Sequence, residues 1–325
     1  MAKSTRQAFG EALARLGELH PEIVTLDADL SKSTKSDLFA KKFPDRFFEM
    51  GIAEANMIGT AAGLSFTGKL PFLCSFGAFI TGRYDTIRLS VAYSGANVRL
   101  IGTHAGVGIG DDGHSQMGLE DVSLMRALPT MGVFQPMDAR ETELILEYLV
   151  TQWKGPAYLR LTRQNLPDLY PSGVAFQPTR LMPVHTPTQA AQKTDPKQPK
   201  THSVVCIATG ASVADAVTAS KNLEAHGVFM PVWNAHCLKP FDEAATRALG
   251  QSYSCLVTVE DHTVIGGLGS AVAESLAQDQ NHARLIRLGI QDQFGESGEP
   301  AELYEKFGIS AQAITQRVIQ ELKIQ

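Results

Sequence analysis

A single carboxylate stands within a run of small and apolar residues, and it is the first candidate for chemistry in the sequence. The run begins at residues 51–57 (GIAEANM) and reaches Gly63, and Glu54 is its only charged residue. Alanine and methionine favour helix, and Gly59 and Gly63 lie on one helical face, where another backbone can approach closely. A desolvated carboxylate in this setting is suited to sharing a proton. The alternative is a partly exposed glutamate that offsets a helix dipole.

A second candidate is the glycine-rich stretch 105–116 (AGVGIGDDGHSQ), which follows a predicted strand ending at His104. Glycines let a backbone approach a ligand closely, and Asp112, His114 and Gln116 supply hydrogen-bonding groups. The pattern matches neither the Walker A loop nor the dinucleotide fingerprint. A ligand-binding loop and a solvated polar turn therefore both remain open.

Alternating strands and helices must position these residues. Strand–helix alternation predicts an α/β fold with a parallel sheet covered by helices on both faces. In such a sheet, ligands bind beyond the carboxyl ends of the strands, where the polar turn 27–33 and Arg163 are placed. The predicted strands are 23–26, 71–79, 98–104, 132–136 and 156–163, and the predicted helices include 5–19 and 83–93.

The composition changes near residue 185, which predicts two domains. Residues 185–202 are rich in Thr, Gln, Lys and Pro, as is typical of a linker. We place a first domain at 1–180, the linker at 181–201 and a second α/β domain at 202–325. In the second domain, the glycines of 266–269 precede a helix, and we favour tight helix packing over a phosphate cradle.

Composition and charge exclude several classes of function. The chain has 325 residues and a formal net charge of -5, without a basic block, so nucleic acid and anionic membranes are not expected partners. No apolar run reaches membrane-spanning length, and residues 1–6 lack the apolar segment of a signal peptide. The cysteines are scattered, which predicts reduced core thiols in a cytoplasmic protein and no zinc site.

Five motifs together resemble the transketolase family. They are residues 51–57, 103–104, 110–117, 162–166 and 258–262, and they follow the family's order and spacing. The resemblance runs from Thr5 to the C-terminus. It implies a parallel-sheet domain that binds the pyrimidine of thiamine diphosphate and a smaller C-terminal α/β domain. The family's first domain, with its Gly-Asp-Gly magnesium motif, is not expected in this chain, and the GDDG of 110–113 matches a different family loop.

The resemblance assigns four residues to the cofactor. Glu54 matches the glutamate that hydrogen-bonds the aminopyrimidine ring and favours its imino tautomer, so that the cofactor can act as an electron sink for carbon–carbon cleavage. Phe76 and Phe79 match the aromatic walls of the pyrimidine site. Asp29 matches an aspartate near the thiazolium. No metal ligand is expected in this chain, because the Mg²⁺ ligands belong to the missing domain.

The resemblance also assigns a substrate side. Arg6, Ser33, His104 and Arg163 match positions that bind the sugar phosphate, for which arginine is a bidentate donor. Asp112 matches the residue that recognises the ketose hydroxyl next to the carbonyl. Glu54, His104, Asp112 and Gln116 are the implied catalytic residues.

Three positions depart from the family pattern or vary within it. Gln116 stands where some members have histidine and others glutamine, and an amide can hydrogen-bond but cannot titrate. His114 occupies a position usually held by proline, and its role is open. Gly82 replaces a third aromatic of the pyrimidine site, for which Tyr84 is a candidate substitute.

The implied function is thiamine-diphosphate-dependent transfer of a two-carbon ketol group between sugar phosphates. The chain would be the C-terminal subunit of a split transketolase, inactive without a partner that carries the diphosphate-binding domain, in an α2β2 assembly. Pentose-phosphate sugars are the default substrates, and the particular ketose and aldose stay open.

Three alternatives remain. One is the β subunit of a 2-oxo acid dehydrogenase, a family that differs around the glutamate and lacks the 162–165 stretch. Another is an enzyme similar to deoxyxylulose-phosphate synthase. The last is a non-catalytic binding module, which intact Glu54, Asp112 and Arg163 disfavour.

Overall fold

The computed structural model describes residues 2–170, 173–187 and 203–323 as alternating strands and helices. The strands are β1 Lys3–Ser4, β2 Ile23–Asp27, β3 Phe47–Glu49, β4 Leu70–Phe76, β5 Arg99–Thr103, β6 Gly132–Phe134, β7 Ala157–Arg160, β8 Asn165–Leu166, β9 Met182–His185, β10 Val204–Ala208, β11 Val232–Asn234, β12 Cys237–Lys239, β13 Cys255–Thr263 and β14 Arg284–Ile290.

The helices follow the same order along the chain. They are α1 Thr5–Leu19, α2 Ser31–Thr34, α3 Asp37–Lys42, α4 Glu54–Phe66, α5 Gly77–Thr81, α6 Tyr84–Thr86, α7 Asp121–Ala127, α8 Ala139–Thr151, α9 Ser212–Glu224, α10 Glu243–Ser252, α11 Leu268–Leu276, α12 Pro300–Lys306 and α13 Ala311–Leu322. A π-helix, Ile87–Tyr93, continues from α6, and single 3₁₀ turns cover Pro44–Arg46, Val107–Ile109 and His114–Gln116. None of these helices combines the length and the hydropathy that a membrane crossing requires.

The first sheet has seven strands in the order β12-β6-β7-β5-β4-β2-β3. All neighbouring pairs are parallel except β12 and β6. Strands β2, β4, β5 and β7 are buried along their whole length, as expected when helices cover both faces of a parallel sheet. The predicted parallel-sheet α/β architecture is confirmed.

The second sheet has five strands in the order β14-β13-β10-β11-β9, and only β9 is antiparallel to its neighbour. Strand β9 falls inside the predicted linker 181–201, because Met182–His185 pair with β11 and extend the second sheet. Residues 188–201 of that linker lie outside the described residues. The division into domains at 1–180 and 202–325 stays a prediction.

One strand crosses between the two halves of the chain. Strand β12 follows β11 of the second sheet, yet it pairs with β6 at the edge of the first sheet. Hydrophobic clusters also cross this boundary, since Val133 of the first half and Leu238 and Leu256 of the second belong to one cluster. The two sheets therefore share a core.

Local expectations were met to different degrees. The helix predicted over 83–93 forms as α6 and the π-helix, and the four cysteines are buried and free, as expected of core thiols. The glycines at 266–269 do serve close packing, because a Cβ on Gly267 would lie 2.0 Å from Oε2 of Glu260. By contrast, a Cβ on Gly59 or Gly63 would meet nothing within 4 Å, because this face of α4 is exposed. The close approach predicted there is not made within this chain.

Candidate active site

The predicted site residues converge at the carboxyl edge of the first sheet. Strands β2, β4 and β5 are parallel neighbours, so Asp29, Phe76 and His104 at or beyond their ends share one edge. Helix α4 connects β3 to β4, so its first residue, Glu54, starts at the same edge. The topology alone thus brings together residues spread over about a quarter of the chain.

His104 lies at the centre of this edge and is 3% exposed. Arg6 Nη1 lies 3.0 Å from His104 Nε2 and also donates to the backbone carbonyl of Ser33 at 2.8 Å. Because a guanidinium only donates, Nε2 must accept, and Nδ1 therefore carries the proton that it donates to Oγ1 of Thr103 at 2.8 Å. His104 is a neutral imidazole of defined tautomer.

Arg163 lies close to His104 because the short strands at the two ends of the first domain pair with each other. Strand β1 pairs with β8, and the hydroxyl of Thr5 accepts a hydrogen bond from the backbone N–H of Thr162 at 2.8 Å. Helix α1 starts beside this contact, so Arg6 and Arg163 follow it on adjacent segments. Arg163 Nη1 donates to the carbonyl of Ile109 at 3.0 Å, which fixes it against the glycine-rich stretch.

Three cations surround His104. Burial, together with the smaller effects of the charges of Arg6, Arg163 and Lys35, lowers the pKa of His104 to about 3. Burial also lowers the pKa of Arg6, with a second contribution from Arg163 and an opposing one from Asp112. We call Arg6, Lys35 and Arg163 around His104 the cation cluster. The positive charge of this cluster would be compensated by a bound anion.

Asp112 is the carboxylate nearest to the cation cluster. Its Oδ2 lies 3.5 Å from Nη1 of Arg163, and both side chains are partly exposed, at 34% and 40%. An ion pair of this exposure contributes little to stability. Both groups therefore remain available to a ligand.

Three residues other than glycine have left-handed backbones at this edge. Asp29, Lys35 and His104 have φ values of 62°, 71° and 56°. Such conformations persist only where surrounding contacts hold them, and they concentrate at functional sites. For Asp29 that contact is Glu49, whose Oε1 accepts from the N–H of Asp29 at 2.8 Å and of Gly51 at 3.1 Å.

A flat aromatic wall adjoins the cation cluster. The ring of Phe76 stacks on the imidazole of His104, with centroids 3.8 Å apart, and on the ring of Phe79, with centroids 5.3 Å apart. Gly82 is exposed and adds no side chain to the wall. Tyr84 is partly buried against the core under the first sheet, and its suggested role as a substitute aromatic stays a prediction.

Glu54 is buried without a partner in the described part of the chain. It is 5% exposed as the first residue of α4, and its carboxylate makes no hydrogen bond or ion pair with any described residue. A buried carboxylate without a partner is costly. Its carboxylate can therefore accept a hydrogen bond from a donor that the described residues do not supply.

The glycine-rich stretch is held by the second half of the chain. Asp261 accepts from the N–H groups of Val107 and Gly108 at 2.8 and 3.2 Å. His114 Nδ1 accepts from the N–H of Gly295 at 3.1 Å, and its ring packs on Phe294. His114 thus anchors the segment between Asp112 and Gln116.

Gln116 is the predicted residue with the weakest connection to the others. The His114–Gln116 turn packs against α5, which carries Phe79. No hydrogen bond joins the Gln116 side chain to another described residue. Hydrogen bonds and ring stacking thus join Ser33, Arg6, His104, Phe76 and Phe79, and a separate ion pair joins Asp112 and Arg163. Among the described residues, no hydrogen bond or ion pair joins the side chains of Glu54, Asp29 and Gln116 to either group.

The motif at 258–262 belongs to a different group, which we call the buried ion network: Asp121, Tyr158, Arg160, Asp261 and Tyr304. Arg160 Nε donates to Oδ2 of Asp121 at 2.8 Å, and its Nη2 donates to the carbonyl of Asp261 at 3.0 Å. The hydroxyls of Tyr158 and Tyr304 donate to Asp121 and Asp261 at 2.7 and 2.9 Å. Burial alone would raise the pKa of Asp121, but nearby Arg160 and His262 lower it below its ordinary value. This network joins the two halves of the chain.

Sequence reasoning missed three residues that shape the site. Lys35 contributes a third cation, Glu49 holds two site loops, and the buried Asp27 accepts hydrogen bonds from both Thr34 and Ser36 around Lys35. Asp27 and Lys35 fall in or beside the predicted polar turn at 27–33, which was a usable signal. No sequence signal marked Glu49, because its hydrogen-bond partners are brought to it only by the fold.

Two family models define the class of protein to which this chain belongs. The model of the transketolase pyrimidine binding domain matches residues 1–168, and that of the transketolase C-terminal domain matches residues 193–314. A two-domain chain of this kind, with its charged and aromatic edge, is a subunit with transketolase-like function. The chain belongs to the transketolase family.

The relatives include proteins of the same length as this chain. A Methanocaldococcus jannaschii protein, provisionally named transketolase C-terminal section, is 38% identical over 99% of this chain and 97% of its own length. The 6-deoxy-6-sulfo-D-fructose transketolase subunit SqwH of a Clostridium species is 36% identical over 95% of this chain and 91% of its own length. A solved structure titled "Split gene transketolase, inactive beta4 tetramer" is 41% identical, with a TM-score of 0.85 and 99% of both chains covered.

Full-length transketolases are about twice as long. The match to human transketolase covers 97% of this chain but only 48% of the human protein, at 35% identity. Since the matching models and relatives are transketolases, they do not favour a 2-oxo acid dehydrogenase subunit, a deoxyxylulose-phosphate synthase or a non-catalytic module.

Proposed function

We propose that this chain forms the pyrimidine and sugar-phosphate half of a two-chain transketolase, which transfers a two-carbon ketol group between sugar phosphates. One observation carries the proposal. The ring of His104 stacks on Phe76 while its Nε2 accepts from Arg6, so an aromatic wall and an anion-binding cluster meet at one residue. A substrate bound by its phosphate here would extend its other end along the aromatic wall.

The substrate side rests on Arg6, Ser33, His104, Asp112 and Arg163. Nε of Arg6 is buried and has no partner among the described residues, so it can donate to a phosphate oxygen. The guanidinium of Arg163 supplies a second bidentate donor, and Asp112 is placed to accept a hydrogen bond from a sugar hydroxyl. When a phosphate draws Arg6 away from Nε2, the His104 ring becomes free to bond the sugar.

The cofactor side rests on Glu54, Phe76, Phe79 and Asp29. The residues fit the aminopyrimidine of thiamine diphosphate, because an unpartnered buried carboxylate and a flat stacked wall are what a planar ring with polar edges needs. When bound, the cofactor supplies an electron sink for carbon–carbon cleavage. Glu54 would hold a proton at the ring edge, Phe76 and Phe79 would orient the ring and exclude water, Asp29 would lie near the thiazolium, and Gln116 would hydrogen-bond a carbonyl or hydroxyl.

A partner subunit completes this site. Within the described residues no group of three or more His, Cys, Asp or Glu side chains could hold a metal ion, and we assign the Mg²⁺ ligands and the diphosphate loop to the partner in an α2β2 assembly. Exposed apolar side chains on and beside α4 support a docking face there. They are Ile52 at 82%, Phe66 at 63%, Leu89 at 56% and Tyr93 at 88% exposure.

We place the assembled enzyme in the cytoplasm and take pentose-phosphate sugars as its default substrates. The four free, buried cysteines support a reducing compartment. The structure titled as an inactive β4 tetramer supports the need for a partner, because its chain resembles this one over its full length.

Reconstitution tests the proposal. The chain mixed with a partner carrying Gly-Asp-Gly should transfer ketol groups from a panel of ketose phosphates in the presence of thiamine diphosphate and Mg²⁺, and the chain alone should not. Glu54→Gln should lower turnover by about 10²- to 10⁴-fold, because an amide cannot share the proton. Exposed Glu18→Gln is the matched control and should retain activity. Micromolar cofactor binding and ketol transfer by the chain alone, or a Glu54→Gln enzyme within a few-fold of the wild type, would contradict the proposal.

A further inference from the structure

Lys35 is held rigidly on the loop that carries Ser33. It caps the short helix α2 with a left-handed backbone, at a φ of 71°. The hydroxyls of its two neighbours, Thr34 and Ser36, both donate to Oδ2 of buried Asp27, at 2.7 and 2.8 Å. A lysine fixed on both sides in an unusual backbone conformation has its Cβ direction defined by the fold.

That direction places Lys35 against the helix that presents Arg6. A Cβ added to Gly10 would lie 2.7 Å from Cβ of Lys35 and 2.4 Å from its carbonyl oxygen, so only glycine fits there. Gly10 follows Arg6 by four residues in α1 and therefore lies on the same helical face. The flexible four-carbon stem of Lys35 starts one helical turn from Arg6.

The Lys35 ammonium group has no partner in the described part of the chain. It makes no hydrogen bond or ion pair with a described residue, although the side chain is only partly exposed. Its charge is one of the three that act on the buried ring of His104. Lys32 on the same helix is exposed and is not among them.

The charges that act on the His104 ring are all positive. Arg6, Lys35 and Arg163 carry three positive charges, and Asp112 supplies one negative charge beside them. Attraction to these three cations scales with the charge of the ligand, so a dianion gains more from each of them than a monoanion does. Phosphate monoesters carry nearly two negative charges at pH 7 and sulfonates carry one.

We infer that Lys35 is a specificity-determining residue, which favours a sugar with a dianionic phosphate end over one with a monoanionic sulfonate end. The inference rests on the proposed function and names the feature that selects its substrate class. One relative is named for a sulfosugar, which makes the distinction between the two end groups relevant.

Lys35→Met in the reconstituted enzyme tests the inference, with fructose 6-phosphate and 6-deoxy-6-sulfofructose as ketose donors. Coulomb interaction scales with ligand charge, so a loss of about threefold in kcat/KM for the sulfonate predicts about tenfold for the phosphate. Lys35→Arg should restore most of the phosphate activity. Lys32→Met, from the same helix, is the matched control and should leave kcat/KM unchanged for both substrates.

The pH dependence sharpens the test. Below the second pKa of the phosphate, near 6, the phosphate ester becomes a monoanion. At pH 5 the loss caused by Lys35→Met should fall to the level seen with the sulfonate. Equal losses on both substrates at pH 8, or a Lys35→Met enzyme identical to Lys32→Met, would overturn the inference while leaving the proposed function intact.

A binding measurement keeps the test independent of catalysis. The cluster lies within this chain, so titration with inorganic phosphate can be followed by the NMR signals of the His104 ring. Lys35→Met should weaken this binding about tenfold relative to Lys32→Met, with equal thermal stability of both variants. Failure of every donor in the reconstituted enzyme would count against the proposed function, whereas unchanged phosphate binding would count against Lys35.

Discussion

The cation cluster and the buried ion network both contain arginines in contact with polar groups, but their charges are arranged in opposite ways. In the network, Arg160 and Asp121 are 1% and 0% exposed and form a salt bridge at 2.8 Å. In the cation cluster, Arg6 donates to a neutral ring and a carbonyl, and the nearest carboxylate, Asp112, is partly exposed.

The two arrangements predict different roles. The paired charges of the network are expected to support folding, and the cations of the cluster are expected to serve ligand binding. A buried arginine opposite a buried carboxylate is satisfied, so removing one partner leaves the other uncompensated. In the cation cluster, Arg6 and Lys35 form no ion pair with a described residue, so an anionic ligand could compensate their charge. Mutations in the network should therefore affect folding, and mutations in the cluster should affect binding.

The largest effect is expected when the network is broken. Asp121→Asn leaves Arg160 charged and buried without its counterion, which should lower the free energy of unfolding by about 3–5 kcal/mol. Denaturant unfolding of the purified chain measures this. Asp112→Asn is the matched control, since its ion pair is exposed, and should change stability by about 0.5 kcal/mol or less. Equal losses for the two variants would remove the distinction between the regions.

A smaller effect is expected from acid. The pKa of His104 is lowered to about 3 in the folded chain, against about 6.5 when unfolded. The unfolded chain therefore binds a proton first as the pH falls below 6.5, and the stability present above that pH is lost as the pH falls toward 3.

Comparison with His104→Asn isolates this contribution from that of other buried histidines. The wild type should lose about 2–3 kcal/mol more than the variant between pH 7 and pH 4. Addition of a sugar phosphate should raise the pKa of the His104 ring, because the anion offsets the surrounding cations. Parallel pH profiles of the two proteins would show that burial and the neighbouring cations do not hold His104 neutral in the folded chain.

The smallest effect is expected at Arg163. Arg163→Met should weaken binding of a phosphorylated ketose by about 1.5 kcal/mol, roughly tenfold, which corresponds to the loss of one charge-assisted contact. A ketose without phosphate should be nearly unaffected, and so should stability, because the side chain is 40% exposed. Exposed Arg180→Met is the control. A similar loss on both ketoses would mean that phosphate binds elsewhere.

Much of the site could be predicted from the sequence because its residues lie at strand ends. His104 ends a buried apolar strand and Arg163 follows another, and parallel topology then places them at one edge. Glu54 was identified by its isolation in an apolar run, and its burial agrees with that expectation. Family motifs supplied the roles, which periodicity alone cannot give.

Features that depend on long-range pairing could not be predicted. No sequence signal distinguishes Lys35 from Lys32, whereas in the fold Lys35 packs on Gly10 and its charge acts on His104. The motif at 258–262 was recognised by resemblance, but its position between the two halves follows from partners such as Arg160. Nothing in the three residues of β12 indicated which sheet they join.

Strand β12 has a consequence for how such a gene can be divided. A break between the coding regions for the two sheets would leave β6 as an open edge on one product and the β12 segment without its sheet on the other. Recombination at that point would therefore separate fragments that are not autonomous domains. The structure favours inheritance of both sheets as one module, exchanged whole between longer and shorter members of the family.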